Sequence, residues 1–153
     1  MKKPISLLAV FCMAAAANAT ILRVSNVEGS SAPYTSISDA ISAAADGDTI
    51  MVDASATSYG TVIIAKRIAL IGPGYLLNEN NLSQISPAPA LAESVEMNAE
   101  GAVMQGMTVE ENVDIVSPKC IVNKCRINII DNYQIIQELK IHHRIKMFKM
   151  NNY

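Results

Sequence analysis

The sequence predicts an all-β fold, a short parallel β-helix (a solenoid) with an N-terminal amphipathic helix capping one end. Three observations predict it. Residues 94–109 and 112–127 superimpose at an offset of 18, a helical apolar stripe occupies residues 36–44, and the remaining β-rich runs are spaced too closely to hold crossover helices between them.

The chain starts with Lys2 and Lys3, an apolar run from Ile5 to Ala16, and then Ala17, Asn18 and Ala19. A basic start, a short apolar stretch and a small-x-small triplet form the pattern of a cleavable export signal. Residues 1–19 are therefore expected to be removed, leaving a mature chain that begins at Thr20 and is secreted or held at the cell surface. The apolar run falls short of the roughly 20 residues a bilayer-spanning helix requires, so no membrane span is expected after cleavage. Phe11 before Cys12 is too bulky for a lipoprotein processing site.

Composition narrows the classes of partner. The chain has 153 residues, 50% hydrophobic and 17% charged, with a formal net charge of −2. These values describe one modest domain with its own core. They give no electrostatic footprint for a phosphate backbone, and nucleic acid is an unexpected partner.

Residues 20–27 alternate with period two and predict a first strand, and residues 28–34 a loop. Ile37, Ala40, Ile41 and Ala44 then fall on one helical stripe, with Ser36 and Asp39 positioned as a capping pair and Gly47 where the helix should stop. So short a helix is marginal alone and needs a surface to lie on. Residues 49–52, 61–64 and 68–71 read as short strands, and residues 72–74 as a Gly-Pro-Gly corner. Residues 75–93 read as a long excursion.

A repeat of pattern starts at Ser94. Val95 matches Val113, Met97 matches Ile115, Ala102 matches Cys120, Met104 matches Val122, Met107 matches Cys125 and Val109 matches Ile127. A short period of this kind means that successive windings lie one above another, so that inward side chains form shared apolar columns. Beyond Ile127 the rhythm fails, because Asp131 falls where an aliphatic is expected. Residues 20–127 are accordingly taken as the domain. Residues 128–153 are taken as an irregular or aberrant C-terminal tail, of the kind a frameshift would leave, or a natural cap.

Ser36 through Val52, followed by Tyr59 through Gly74, resembles the opening of right-handed parallel β-helix proteins of the pectate-lyase-like superfamily. The resemblance covers roughly residues 21–127. It implies a right-handed coil plugged by the N-terminal helix. It implies little about activity, since such folds carry lyases, hydrolases, esterases and adhesins alike.

Candidate chemistry is sparse, and no catalytic residue is assigned. Glu96 and Asp114, 18 apart, should stack on one outer face, with Glu110 and Glu111 at a neighbouring corner. Two carboxylates at strand spacing repel unless a cation intervenes, so this pair is the candidate metal site, with Ca²⁺ as the ion. No other cofactor is implied. Cys120 and Cys125 lie among apolar residues and read as small buried hydrophobes, with a disulfide as the alternative. His142 and His143 point apart on any strand and lack ligand-spaced partners. The resulting expectation is an exported, non-catalytic binding or structural module whose partner is an extracellular polysaccharide. The alternative is the N-terminal fragment of a polysaccharide lyase or glycoside hydrolase whose catalytic coils are missing.

Overall fold

The computed structural model describes residues 19–74, 88–131 and 147–150. The export signal, apart from Ala19, lies outside the described residues, as do Cys12, His142 and His143 and most of the expected tail. In chain order the elements are β1 (Ile21–Val24), α1 (Ile37–Ala43), β2 (Thr49–Val52), β3 (Val62–Ile64), β4 (Ala69–Ile71), β5 (Ala90–Ala92), β6 (Val95–Met97), β7 (Val103–Gln105), β8 (Met107–Ile115), β9 (Ile121–Asn123), β10 (Arg126–Asp131) and β11 (Met147–Met150). No helix among the described residues is long and apolar enough to cross a membrane.

All strand pairings among the described residues are parallel. They form a five-stranded sheet in the order β1-β2-β4-β7-β9 and a six-stranded sheet in the order β11-β10-β8-β6-β3, with β5 also paired to β8.

This architecture corrects the expected fold class. The described residues build two parallel sheets and a single short helix, an α/β-like parallel topology, and not a closed all-β solenoid. The reason lies in what periodicity can report. A repeat of 18 sets the register between neighbouring strands, and the structure has that register at Val95↔Val113, Met97↔Ile115, Met104↔Val122 and Val109↔Ile127. Register between neighbours is a property of any parallel ladder, and it does not specify that the ladder closes on itself. Elsewhere the spacing varies, with Ile21 opposite Thr49, Thr49 opposite Ala69 and Val62 opposite Val95.

The reading of Asp131 is corrected too. A register shift between Ile127 and Ile129 sets Ile130 opposite Val113 and moves Asp131 opposite Asp114. A strict period of 18 places Asp131 opposite Val113, and one residue of slippage gives that register position to Ile130.

Inward residues from both sheets join one core. Leu22, Ile50, Leu70, Met104 and Val122 line up across the first sheet, and Ile64, Met97 and Ile115 across the second, all buried. Full burial of each large aliphatic side chain contributes about 1.5–3 kcal/mol. Helix α1 adds Ile37, Ala40 and Ile41 to this core and packs against β1, β2 and β3. Its start is as the sequence predicts, with the Ser36 hydroxyl accepting the Asp39 N–H at 3.4 Å. At its other end Lys66 Nζ donates to the carbonyls of Ser42 at 2.8 Å and Ala44 at 2.6 Å. Those carbonyls have no intrahelical partners, and a cation there also suits the helix dipole.

The turn after α1 carries Asp48, which is buried and acts as a bracket. Its Oδ1 accepts the Thr20 N–H at 2.7 Å and its Oδ2 accepts the Ala45 N–H at 2.8 Å. One carboxylate thus joins the start of β1 to the end of the helical segment. The two N–H donors, Thr20 first, hold its pKa below the ordinary aspartate value.

The repeat also recurs in backbone conformation. Gly101 and Lys119 both have positive φ, at 74° and 58°, and Gly106 and Lys124 do so at 69° and 49°. Each pair is separated by the same 18 residues as the strands.

Candidate functional site

The outer face of the six-stranded sheet carries a polar row. In β6 the buried Val95 and Met97 flank Glu96, and in β8 the buried Val113 and Ile115 flank Asp114, so alternation turns both acids outward. Parallel register then sets Glu96 directly opposite Asp114, so the structure brings the two predicted residues together. Backbone register continues the line in both directions, from Ile63 on β3 beside Glu96 to Asp131 on β10 beside Asp114.

Neutral polar groups tie the row together. Asn98 Nδ2 donates to Glu96 Oε1 at 2.8 Å, and Asn112 Nδ2 donates to Asp114 Oδ2 at 3.1 Å. The Ser94 hydroxyl lies 2.9 Å from Asn112 Oδ1 and 3.0 Å from Glu111 Oε2, and donates to one of them at a time. Each acid therefore receives an amide N–H from the asparagine two positions away in sequence, Asn98 just past the end of β6 and Asn112 within β8.

This donor set bears on the expected Ca²⁺. That ion takes six to eight oxygen ligands. Among the described residues no group of three or more His, Cys, Asp or Glu side chains gathers as a metal cage. One amide hydrogen on each carboxylate leaves further lone pairs open, and the pair by itself supplies only part of such a ligand set. The row offers alternating donors and acceptors, a surface suited to hydroxyl-rich ligands.

The first half of β8 borders a cavity of ≈ 450 Å³ whose lining includes Leu91, Thr108, Glu110, Arg126 and Asn128. Leu91, Thr108 and Arg126 are in register on β5, β8 and β10. Thr108 is only 7% exposed, and its Oγ1 has no hydrogen-bond partner among the described residues. An unmet buried hydroxyl costs about 1–3 kcal/mol, an unusual expense on a surface strand. Sequence reasoning missed this recess, because Thr108 sits between the matched positions Met107 and Val109 and has no apolar or charged signature. It also missed Ser94, Asn98 and Asn112. Their signal was present: Ser94 and Asn112 are 18 apart, and each asparagine lies two residues from the acid it serves.

The two cysteines belong to the interior. Cys120 and Cys125 are both free thiols and buried. Cys120 Sγ lies 3.2 Å from the Ser117 carbonyl, and Cys125 Sγ lies 3.2 Å from that of Asn123. Burial raises both pKa values, that of Cys125 to about 11, which keeps them protonated and unreactive at neutral pH. Comparison with protein-family models, with curated proteins and with solved structures finds no match for this chain.

Proposed function

We propose that this chain is an exported, non-catalytic binding module that presents the outer face of its six-stranded sheet to extracellular polysaccharide. The observation that carries this reading is the pair of hydrogen-bonded sets, Glu96 with Asn98 and Ser94 with Glu111, Asn112 and Asp114, set side by side by the register of Glu96 opposite Asp114. Strands repeat about every 4.8 Å, comparable to the advance of a polysaccharide by one sugar ring. Carboxylates and amides held at that interval meet successive hydroxyls with acceptors and donors already oriented, which lowers the ordering cost of binding. The separate recess lined by Leu91, Thr108, Glu110 and Arg126 adds apolar and polar groups along strand β8. Export is supported by the basic, apolar and small-x-small order of residues 2–19.

The test is a glycan array, followed by calorimetry with the best ligand, using the product exported from cells that express the full chain. Binding of a polysaccharide fragment is expected. Asn112→Ala, which removes the contacts to Ser94 and Asp114, should weaken it at least about tenfold, the equivalent of about 1.4 kcal/mol. Absence of binding across acidic and neutral polysaccharides overturns the reading, as does measurable cleavage of pectin-like polymers.

A further inference from the structure

We propose that cleavage between Ala19 and Thr20 creates an anchor: the new α-ammonium of Thr20 pairs with the carboxylate of Asp48 and fastens β1 to the rest of the processed chain. This rests on the export reading above and adds a structural consequence to it.

Geometry already sets the partners in place. The Thr20 nitrogen lies 2.7 Å from Asp48 Oδ1. The Thr20 carbonyl is fixed as well, accepting the Thr49 N–H at 2.9 Å. The nitrogen is therefore held by the first rung of the β1–β2 ladder. Asp48 itself is buried, 6% exposed, and its second oxygen is engaged by Ala45. Ala19 and Thr20, by contrast, are exposed, so the bond between them is accessible to a peptidase and a bulkier ammonium has room. The small-x-small triplet Ala17-Asn18-Ala19 ends at this same bond. Two independent features, a cleavage pattern and a buried carboxylate, thus converge on one peptide nitrogen.

The chemistry is simple hydrolysis by a signal peptidase. Water adds across the Ala19–Thr20 amide, the C–N bond breaks, and Ala19 leaves with a carboxylate. The proton released on its ionisation stays with the Thr20 amine as ammonium. A hydrogen bond in which only the acceptor is charged becomes an ion pair in which both partners are charged.

The charged groups around the pair are few. Lys66 lies close enough to Asp48 to favour its ionised form, but its Nζ donates to the Ser42 and Ala44 carbonyls. Asp46 accepts the Arg67 backbone N–H at 3.0 Å, and the aliphatic part of the Arg67 side chain lies beside Gly101, with its charge acting on Glu100. Asp48 is therefore the carboxylate in contact with the new terminus.

The experiment expresses the full chain with ¹⁵N-threonine in a secreting host and isolates the exported product. Its intact mass should begin at Thr20. The ¹⁵N resonance of its terminal ammonium should titrate about one pH unit or more above the ordinary 7.7–8.0. In Asp48→Asn it should return to that range. A group whose folded pKa is raised stabilises the fold below its unfolded pKa and loses that contribution as pH rises through the folded value. The wild-type melting temperature should therefore step down across that alkaline window. A product beginning elsewhere, or a chain that is never exported, overturns the processing reading and the anchor with it. A product that begins at Thr20 but titrates in the ordinary range overturns the anchor alone, and this readout needs no variant to fold.

Discussion

Gly106 has φ +69°, and a Cβ built there would lie 2.6 Å from the Gly72 carbonyl oxygen. The backbones meet because Gly72 N–H donates to Gln105 and Gly74 N–H to Gly106. Gly106→Ala therefore adds a left-handed strain to a backbone clash, and should cost at least about 2 kcal/mol in urea denaturation. At the equivalent position 18 residues on, Lys124 adopts the same hand of φ without being glycine. The letters hid this part of the repeat, since a glycine and a lysine share no side-chain property. Cys125 gives a pH-dependent prediction. An unfolded thiol ionises near 8.5, whereas burial holds this one to about 11. Stability should be full below the first value and decline as pH rises toward the second, because the unfolded chain releases a proton that the native state keeps. Urea midpoints measured from pH 7 to 10 should fall more steeply in the wild type than in Cys125→Ala.

Among the elements, α1 was the most legible, since its apolar stripe, its Ser36 cap and its end before Gly47 all agree with one another. Its length of 7 residues leaves it dependent on packing. Ile37 is 1% exposed, and Ile37→Ala should cost about 2–5 kcal/mol, read as a lowered urea midpoint with unchanged slope. Strands β2, β3 and β4 were legible to within a residue, because aliphatic residues at alternate positions leave little choice of face. Strand β1, however, stops at Val24 where the alternation runs to residue 27, and β5 lies inside the stretch read as a long excursion, since three residues of Ala-Leu-Ala carry too little pattern to mark a strand. Strand β10 was not legible either. Its register shift between Ile127 and Ile129 has no residue-level signature, and a strict count of 18 assigned Asp131 to the wrong column. The polar row shows the same division. Glu96 and Asp114 were found from spacing, whereas the amides that satisfy them were visible only once the strand faces were known.

For the whole molecule, periodicity gave neighbour relations and overreached on closure. Offsets that hold between β6 and β8 and between β7 and β9 do not extend to β1, β2 and β3, and the strands divide between two sheets. The buried residues of both sheets form one interior, and its composition has a consequence of its own. Met97, Met104 and Met107 are 0% exposed, while Met51 on β2 is 46% exposed. Thioethers bend to fill gaps that branched side chains leave, which suits an interior where strand spacing is irregular. Oxidation to sulfoxide would make each of them polar. Among these four sulfurs, dilute peroxide should first modify Met51, with the other three following only as the native state opens. Peptide mapping over time would then time the breathing of the protein from within. Three of these four sulfurs thus sit where oxidants arrive last.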